Sequence, residues 1–161
     1  MNAGKRFEQN FKASVPKGVW CYRLRDGTSS WGDKENTRFQ CTNMCDFILA
    51  DGEYVVLAEL KSHKGKSLPL SCIRKNQLED MLKADEFVFT RPVLVVNFED
   101  VDRCFSLNID LVDDFIKDGG RKSIPISYFE EWGTEIPSRK KKVNTEYRLD
   151  VLFGLYNEEW K

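Results

Sequence analysis

Five consecutive apolar residues, Tyr54-Val55-Val56-Leu57-Ala58, run directly into Glu59-Leu60-Lys61. Successive side chains of a strand point to opposite faces of its sheet. A run that is apolar at every position therefore needs cover on both faces, as in a central strand with helices layered on each side. Finishing that strand with a carboxylate and an ammonium two residues apart puts both charges on one face of a buried element. The expected fold class is α/β, a mixed central β-sheet flanked by helices.

The neighbouring segments fit this plan. Lys5 to about Ser14 reads as a short helix with Phe7 and Phe11 on one face, stopped by Pro16-Lys17-Gly18. Val19–Leu24 and Cys45–Ala50 read as strands, and Asp51-Gly52 reads as a two-residue hairpin turn leading into the strand Glu53–Ser62. Ser71 to about Ala84 predicts a helix with Ile73, Leu78, Met81 and Leu82 inward, and Arg91–Phe98 another apolar strand. Cys104–Asn108 is expected at a sheet edge, and short helices are expected over Leu111–Lys117 and Ile126–Trp132. Tyr147–Tyr156 is apolar and compatible with strand or helix. Residues 26–44 are rich in turn-formers and charges, which suggests a mobile loop or short stalk on a single domain spanning 1–161.

Composition narrows the functional classes. No apolar stretch approaches the roughly 18 residues of a membrane span. The polar start Met1-Asn2-Ala3-Gly4-Lys5 lacks a signal-peptide run, so a cytoplasmic location is expected. The five cysteines are odd in number and irregularly spaced. They read as free, mostly buried thiols, with Cys41-x3-Cys45 as half a zinc site the alternative. Net charge is −1, but residues 1–75 hold 13 Lys/Arg against 8 Asp/Glu and residues 76–161 hold 12 against 18. Basic residues gather at Lys61, Lys64, Lys66, Arg74 and Lys75, and again at Arg139–Lys142. A basic run can simply be a solvated face. The first cluster adjoins the Glu59/Lys61 pair, which favours a phosphate-bearing partner.

With Asp51-Gly52 as the turn, Ala50 faces Glu53 and Asp46 faces Leu57. Cross-strand partners and i, i+2 residues share a face, so Asp46, Leu57, Glu59 and Lys61 lie together, with Asp46 and Glu59 diagonal neighbours. Two ionised carboxylates beside apolar residues repel and lose hydration unless a cation sits between them. A hard divalent ion, typically Mg²⁺ with Mn²⁺ a possible substitute, suits oxygen ligands, and the Leu60 carbonyl could be a third. Lys61 cannot bind the metal, but it can hold water or offset charge on a phosphate. The alternative is a plain Glu59–Lys61 ion pair. Gln77 shares the inward stripe of Ile73 and Met81, so it must cap a backbone group or bond a water or phosphate. Glu8 sits at the margin of the first helix's apolar face, either as a solvated residue or as a further carboxylate.

Asp46 followed by Glu59-Leu60-Lys61 resembles the PD-(D/E)xK nuclease signature without its proline. More specifically, the chain resembles the RecU family of Holliday junction resolvases. The resemblance is carried by Asn2-Ala3-Gly4 with Glu8, by Ser67-Leu68-Pro69-Leu70, by Asn76-Gln77-Leu78, by Gly120-Arg121-Lys122-Ser123-Ile124 and by Tyr147-Arg148-Leu149-Asp150-Val151. It departs from the family at Ala3, where the family has Arg, and at Asn76, where it has His. The resemblance implies a restriction-endonuclease-like nuclease core and a homodimeric, Mg²⁺-dependent endonuclease cutting four-way DNA junctions in recombination and repair. It implies catalytic roles for Asp46, Glu59 and Lys61, with Gln77 and Glu8 in support. DNA contacts are expected from Lys64, Lys66, Arg74 and Lys75, and from Lys34 and Arg38 in the stalk. A recombinase partner remains open. The alternatives are a related nuclease acting on flaps, ends or duplex, and a catalytically silent DNA-binding or recombinase-regulating protein. A short, divergent member of this kind suits a phage or mobile element.

Overall fold

The structure, a computed structural model, describes residues 2–24 and 43–154. A six-stranded sheet runs through its middle in the order β1 (Trp20–Arg23), β2 (Phe47–Ala50), β3 (Val55–His63), β5 (Thr90–Phe98), β6 (Arg103–Asn108), β8 (Thr134–Ile136). Only β3 and β5 are parallel; the other neighbours are antiparallel, so the sheet is mixed. The β3–β5 crossover passes through the short strand β4 (Ser67–Pro69) and the helix α2 (Lys75–Asp85). No described helix is long and apolar enough to cross a membrane.

The sheet is covered on both faces, as the apolar run of β3 requires. On one face, helix α1 (Ala3–Ala13) packs Phe7 and Phe11 with Phe47, Val56, Ala58 and the 3-10 segment Leu149–Phe153. The Asn2 side chain caps α1 by accepting from the Lys5 amide at 2.8 Å. Burying a phenylalanine as completely as Phe11 contributes about 1.5–3 kcal/mol. On the other face, α2, α3 (Ile109–Asp118) and α4 (Ile126–Trp132) cover Leu57, Leu94, Val96, Phe105 and Leu107.

Several expectations need correction. The hairpin loop has four residues, not two: Ala50 pairs with Val55 and Phe47 with Ala58. The Asp51 carboxylate holds this wider turn by accepting from the Glu53 and Tyr54 amides at 2.9 and 2.8 Å. The helix expected from Ser71 is broken. Leu70–Cys72 is a 3-10 turn, Ile73 and Arg74 are extended, and α2 begins at Lys75. The Leu70 amide is held by the Lys122 carbonyl at 2.9 Å, which keeps this stretch from entering the helix. The Cys104–Asn108 strand is not at the edge, because β8 pairs along its outer side. The ambiguous stretch Tyr147–Tyr156 begins at the last residue of β10 (Thr145–Tyr147), which pairs with β9 (Ser138–Lys140), and continues as the 3-10 segment; Leu155 and Tyr156 lie outside the described residues. Cys21, Cys45, Cys72 and Cys104 are free thiols, while Cys41 lies outside the described residues.

Candidate active site

The wider turn moves the β2–β3 register by two residues. A two-residue shift preserves the side-chain parity of a strand. Asp46 therefore keeps its face but stands level with Glu59 rather than diagonal to it, one step beyond the Phe47–Ala58 pair. Its backbone is held from both sides: the Asp46 amide donates to the Ala58 carbonyl at 3.0 Å, and its carbonyl accepts from Leu24 at 2.9 Å. Asp46 Oδ2 accepts from the Leu60 amide at 2.8 Å. In an extended strand the carbonyl of a residue faces the same neighbour as its amide. The Leu60 carbonyl is thus directed to the side where Asp46 lies.

Glu59 is only 6% exposed. Its Oε1 accepts from Lys61 Nζ at 2.7 Å, and its Oε2 accepts from Gln77 Nε2 at 3.1 Å. The Glu59–Lys61 ion pair is therefore formed, alongside Asp46 rather than instead of it. Gln77 Nε2 also donates to the Asn43 carbonyl at 3.2 Å. Both ways of satisfying Gln77, on a backbone carbonyl and on the site, are realised together. Its Oε1, also buried, has no hydrogen-bond partner among the described residues.

Burial is the main cause that raises the Glu59 carboxyl above its ordinary range, and the Asp46 charge adds to it. Lys61 and Arg74 oppose the rise. The neighbouring Cys45 thiol is pushed up to about 12, chiefly by burial and then by the Glu59 and Asp46 charges. In the metal-free protein it therefore stays protonated at neutral pH.

The remaining predicted residues fall in different places. Glu8 is engaged by Arg23, whose Nε and Nη2 donate to Glu8 Oε2 at 2.9 and 2.6 Å. Arg23 is the cross-strand partner of Phe47, which belongs to the core on the α1 face, whereas Glu59 shares the parity of Leu57 on the α2 face. Among the described residues, no three His, Cys, Asp or Glu side chains gather as a metal cluster, and Glu8 is held by Arg23. Sequence reading missed Arg23 at the end of β1; the basic residue closing an otherwise apolar and aromatic strand was its only signal. Lys64 and Lys66 are exposed in the turn after β3. Arg74 is exposed at the N-cap position of α2, and Lys75 opens that helix 3.7 Å from Glu79. Lys34 and Arg38, with almost all of the expected 26–44 stalk, lie outside the described residues.

Residues 5–150 match the model of the family described as RecU, recombination protein U. The chain belongs to the RecU family. A curated relative is the SPbeta prophage-derived uncharacterized protein YotM of Bacillus subtilis (strain 168). It is 28% identical over 173 residues, covering 95% of this chain and 86% of that protein. A similar solved structure is Hjc of Archaeoglobus fulgidus, a Holliday junction resolvase from an archaeal hyperthermophile. Its TM-score is 0.54 at 16% identity, covering 82% of this chain and 95% of that one, so the two share a fold.

The resemblance to metal-dependent resolvases raises the question whether this RecU chain's residues suit a divalent cation. They fit a hard one. Two carboxylates and a backbone carbonyl form an all-oxygen donor set, and one of those carboxylates is buried beside like charge. The unpartnered Gln77 Oε1 next to them offers a further acceptor for water.

Proposed function

We propose that this RecU-family protein is a structure-selective endodeoxyribonuclease that resolves four-way DNA junctions by metal-assisted phosphodiester hydrolysis. The observation that carries the proposal is the buried Glu59 carboxylate, level with Asp46 and held by both Lys61 and Gln77. Asp46, Glu59 and the Leu60 carbonyl would hold Mg²⁺, with Mn²⁺ a possible substitute. When bound, the ion supplies Lewis-acid charge to the phosphate and lowers the pKa of water. Gln77 Nε2 fixes the rotamer of Glu59, and its Oε1, without a partner among the described residues, can accept a hydrogen bond from the attacking water and so orient it. Lys61, held by Glu59 at 2.7 Å in the metal-free protein, would be freed where Glu59 serves a metal ion instead. The freed ammonium can then steady the water or offset charge developing on the phosphate. Lys64, Lys66, Arg74 and Lys75 would contact backbone phosphates without reading sequence. Arg23 steadies Glu8 at the neighbouring strand end.

A homodimer matches the near two-fold symmetry of a four-way junction. An exposed apolar surface supports it. Trp20 and Tyr22 stack at 6.0 Å on the edge strand β1, and Phe87, Val88 and Phe89 protrude before β5. Trp20, Ala50, Val55 and Thr90 form one row across four strands, so the two groups lie at the same end of the sheet, about 14 Å apart. We assign this surface to a second copy of the chain. Sedimentation of a Phe87→Glu/Phe89→Glu variant should show a monomer; an unchanged dimer would place the interface elsewhere.

The nuclease proposal is tested with a synthetic four-way junction, a flap and an equal-length duplex, each incubated with the protein in Mg²⁺ and in EDTA. Metal-dependent cleavage of the junction in preference to the duplex is expected. Preference for the flap or duplex would indicate the related nuclease activity, and binding with no cleavage in any metal would indicate the silent DNA-binding protein.

A further inference from the structure

The segment Gly120-Arg121-Lys122-Ser123 has no role in the site described above, yet the fold carries it to one end of a ribbon whose other end is the basic turn after β3. Strands β4 and β7 (Ser123–Pro125) form a separate two-stranded antiparallel ribbon that pairs Ser67 with Pro125, Leu68 with Ile124 and Pro69 with Ser123. Backbone bonds extend the ribbon at both ends: Ile126 to the Lys66 carbonyl at 2.8 Å and Leu70 to the Lys122 carbonyl at 2.9 Å. Ser67 and Ser123 hydroxyls bond across it at 2.7 Å. Gly119 and Gly120 enable the chain reversal from α3 into β7, with φ of +67° and +132°.

Charge pairing separates this ribbon from the other basic cluster. In the Arg139–Lys142 run, Arg139 and Lys141 pair with Glu146, and Lys140 pairs with Asp102. Lys64, Lys66, Arg74, Arg121 and Lys122 are exposed, and none forms an ion pair among the described residues. Cations without an ion-pair partner at the two ends of one ribbon favour an anion, and the Asp100 carboxylate, which accepts from the Gly65 amide at 2.7 Å, offsets part of the charge at the Lys64–Lys66 turn. The ribbon also sets their spacing. From the level of Lys66 to that of Lys122 is four residues, about 13 Å. Duplex DNA advances about 3.4 Å per nucleotide along its axis, so the span corresponds to about four nucleotide steps. Beyond Arg121 the surface changes character. Arg121 itself lines a cavity of about 580 Å³ with Gly119, Gly120, Tyr128 and Trp132, and the Asp118 and Glu131 carboxylates on its wall end the phosphate-attracting surface there.

Resting on the nuclease reading above, we infer that Arg121 and Lys122 bind backbone phosphates at one end of this ribbon, completing a track begun by Lys64 and Lys66. The track lies beside the cleavage centre: Lys64 stands in the turn directly after β3, the strand that carries Glu59, and the Arg74 charge acts on Glu59.

The test is fluorescence anisotropy of a labelled four-way junction titrated with full-length protein in EDTA, from low to moderate salt, alongside cleavage in Mg²⁺. Wild type is compared with Arg121→Gln/Lys122→Gln, with Lys64→Gln/Lys66→Gln, and with Lys117→Gln as a control whose ammonium is engaged by Asp113. The Arg121/Lys122 pair should weaken binding about ten-fold and flatten the log-affinity against log-salt slope by about two. Lys64/Lys66 should behave alike, and the control should match wild type. All the substitutions are at exposed positions, and an unchanged Tm will verify folding. Wild-type binding with an Arg121/Lys122 variant of unaltered affinity and slope overturns this inference alone. Junction binding that falls as expected while no protein cleaves overturns the nuclease reading and upholds the phosphate track. No salt-dependent binding by wild type overturns both.

Discussion

Two carboxylate–cation clusters on this sheet share similar short contacts and have opposite electrostatic consequences. At β6 and β8, Arg103 forks onto Glu135 with two bonds of 2.8 Å and also pairs with Glu130. There the hydrogen bond from Arg103 holds the Glu135 carboxyl below its ordinary range. At β3, Lys61 reaches Glu59 at 2.7 Å, yet the Glu59 carboxyl rises. The difference lies in water and in neighbours. Glu135 is exposed and meets a guanidinium with matched geometry. Glu59 is buried beside Asp46, and one ammonium does not replace the hydration it has lost. A chain that tolerates such a group keeps a charge whose relief comes from a cation, which is the expected signature of a functional site rather than a stabilising one.

The largest expected effect falls on activity. Asp46→Asn or Glu59→Gln should lower metal-dependent junction cleavage by on the order of 10³ or more. The metal-free Glu59→Gln protein should melt at a higher temperature than wild type, because it removes a charge its surroundings disfavour. A lower melting temperature would put Glu59 in the same class as Glu135 and break the contrast. Gln77→Ala releases Glu59 from its second holder and should reduce cleavage about 10–100-fold, the range for residues that orient a metal ligand. An unaffected rate would show that Lys61 alone fixes Glu59.

pH should separate the clusters by sign. For Glu59, whose folded-state value is raised, metal-free stability falls as pH rises from the ordinary carboxylate range through that value. For Glu135, whose value is lowered, stability is present above the ordinary range and is lost as pH falls through the depressed value. Solvent screening keeps the second effect small. Cleavage at subsaturating Mg²⁺ should fall as pH drops through the raised value of Glu59, by about ten-fold per unit once that carboxyl is mostly protonated. A Glu59→Gln protein that retained the stability slope would assign it to another group. The smallest effect is expected from Arg103→Ala: a loss of about 1 kcal/mol or less in thermal or urea unfolding, with cleavage unchanged.

The parts of the site that were legible in sequence are those set by strand parity. Asp46, Glu59 and Lys61 share a face whether the hairpin turn has two residues or four, because the two registers differ by an even number. The inward position of Gln77 was legible from its helical spacing with Met81, whereas Ile73, placed on the same stripe from sequence, is extended and precedes α2. The turn length itself was not, because Asp-Gly is a strong two-residue signal and the Asp51 side chain supplies the alternative turn. The three-residue strands β4, β7, β8, β9 and β10 were also illegible, since three residues hold no measurable period. Missing β8 is what made β6 look like an edge.

By itself, then, the sequence determined the covered central strand, the helices beside it and the parity that groups Asp46 with Glu59, because these follow from local periodicity. Tertiary structure decided who meets whom over long separations. Gln77 reaches Glu59 from the far side of a crossover, Arg23 takes Glu8 to the other face, and the β4–β7 ribbon lays Lys122 against Leu70. Those meetings depend on how packed layers bring distant backbone together, and no local spacing encodes them.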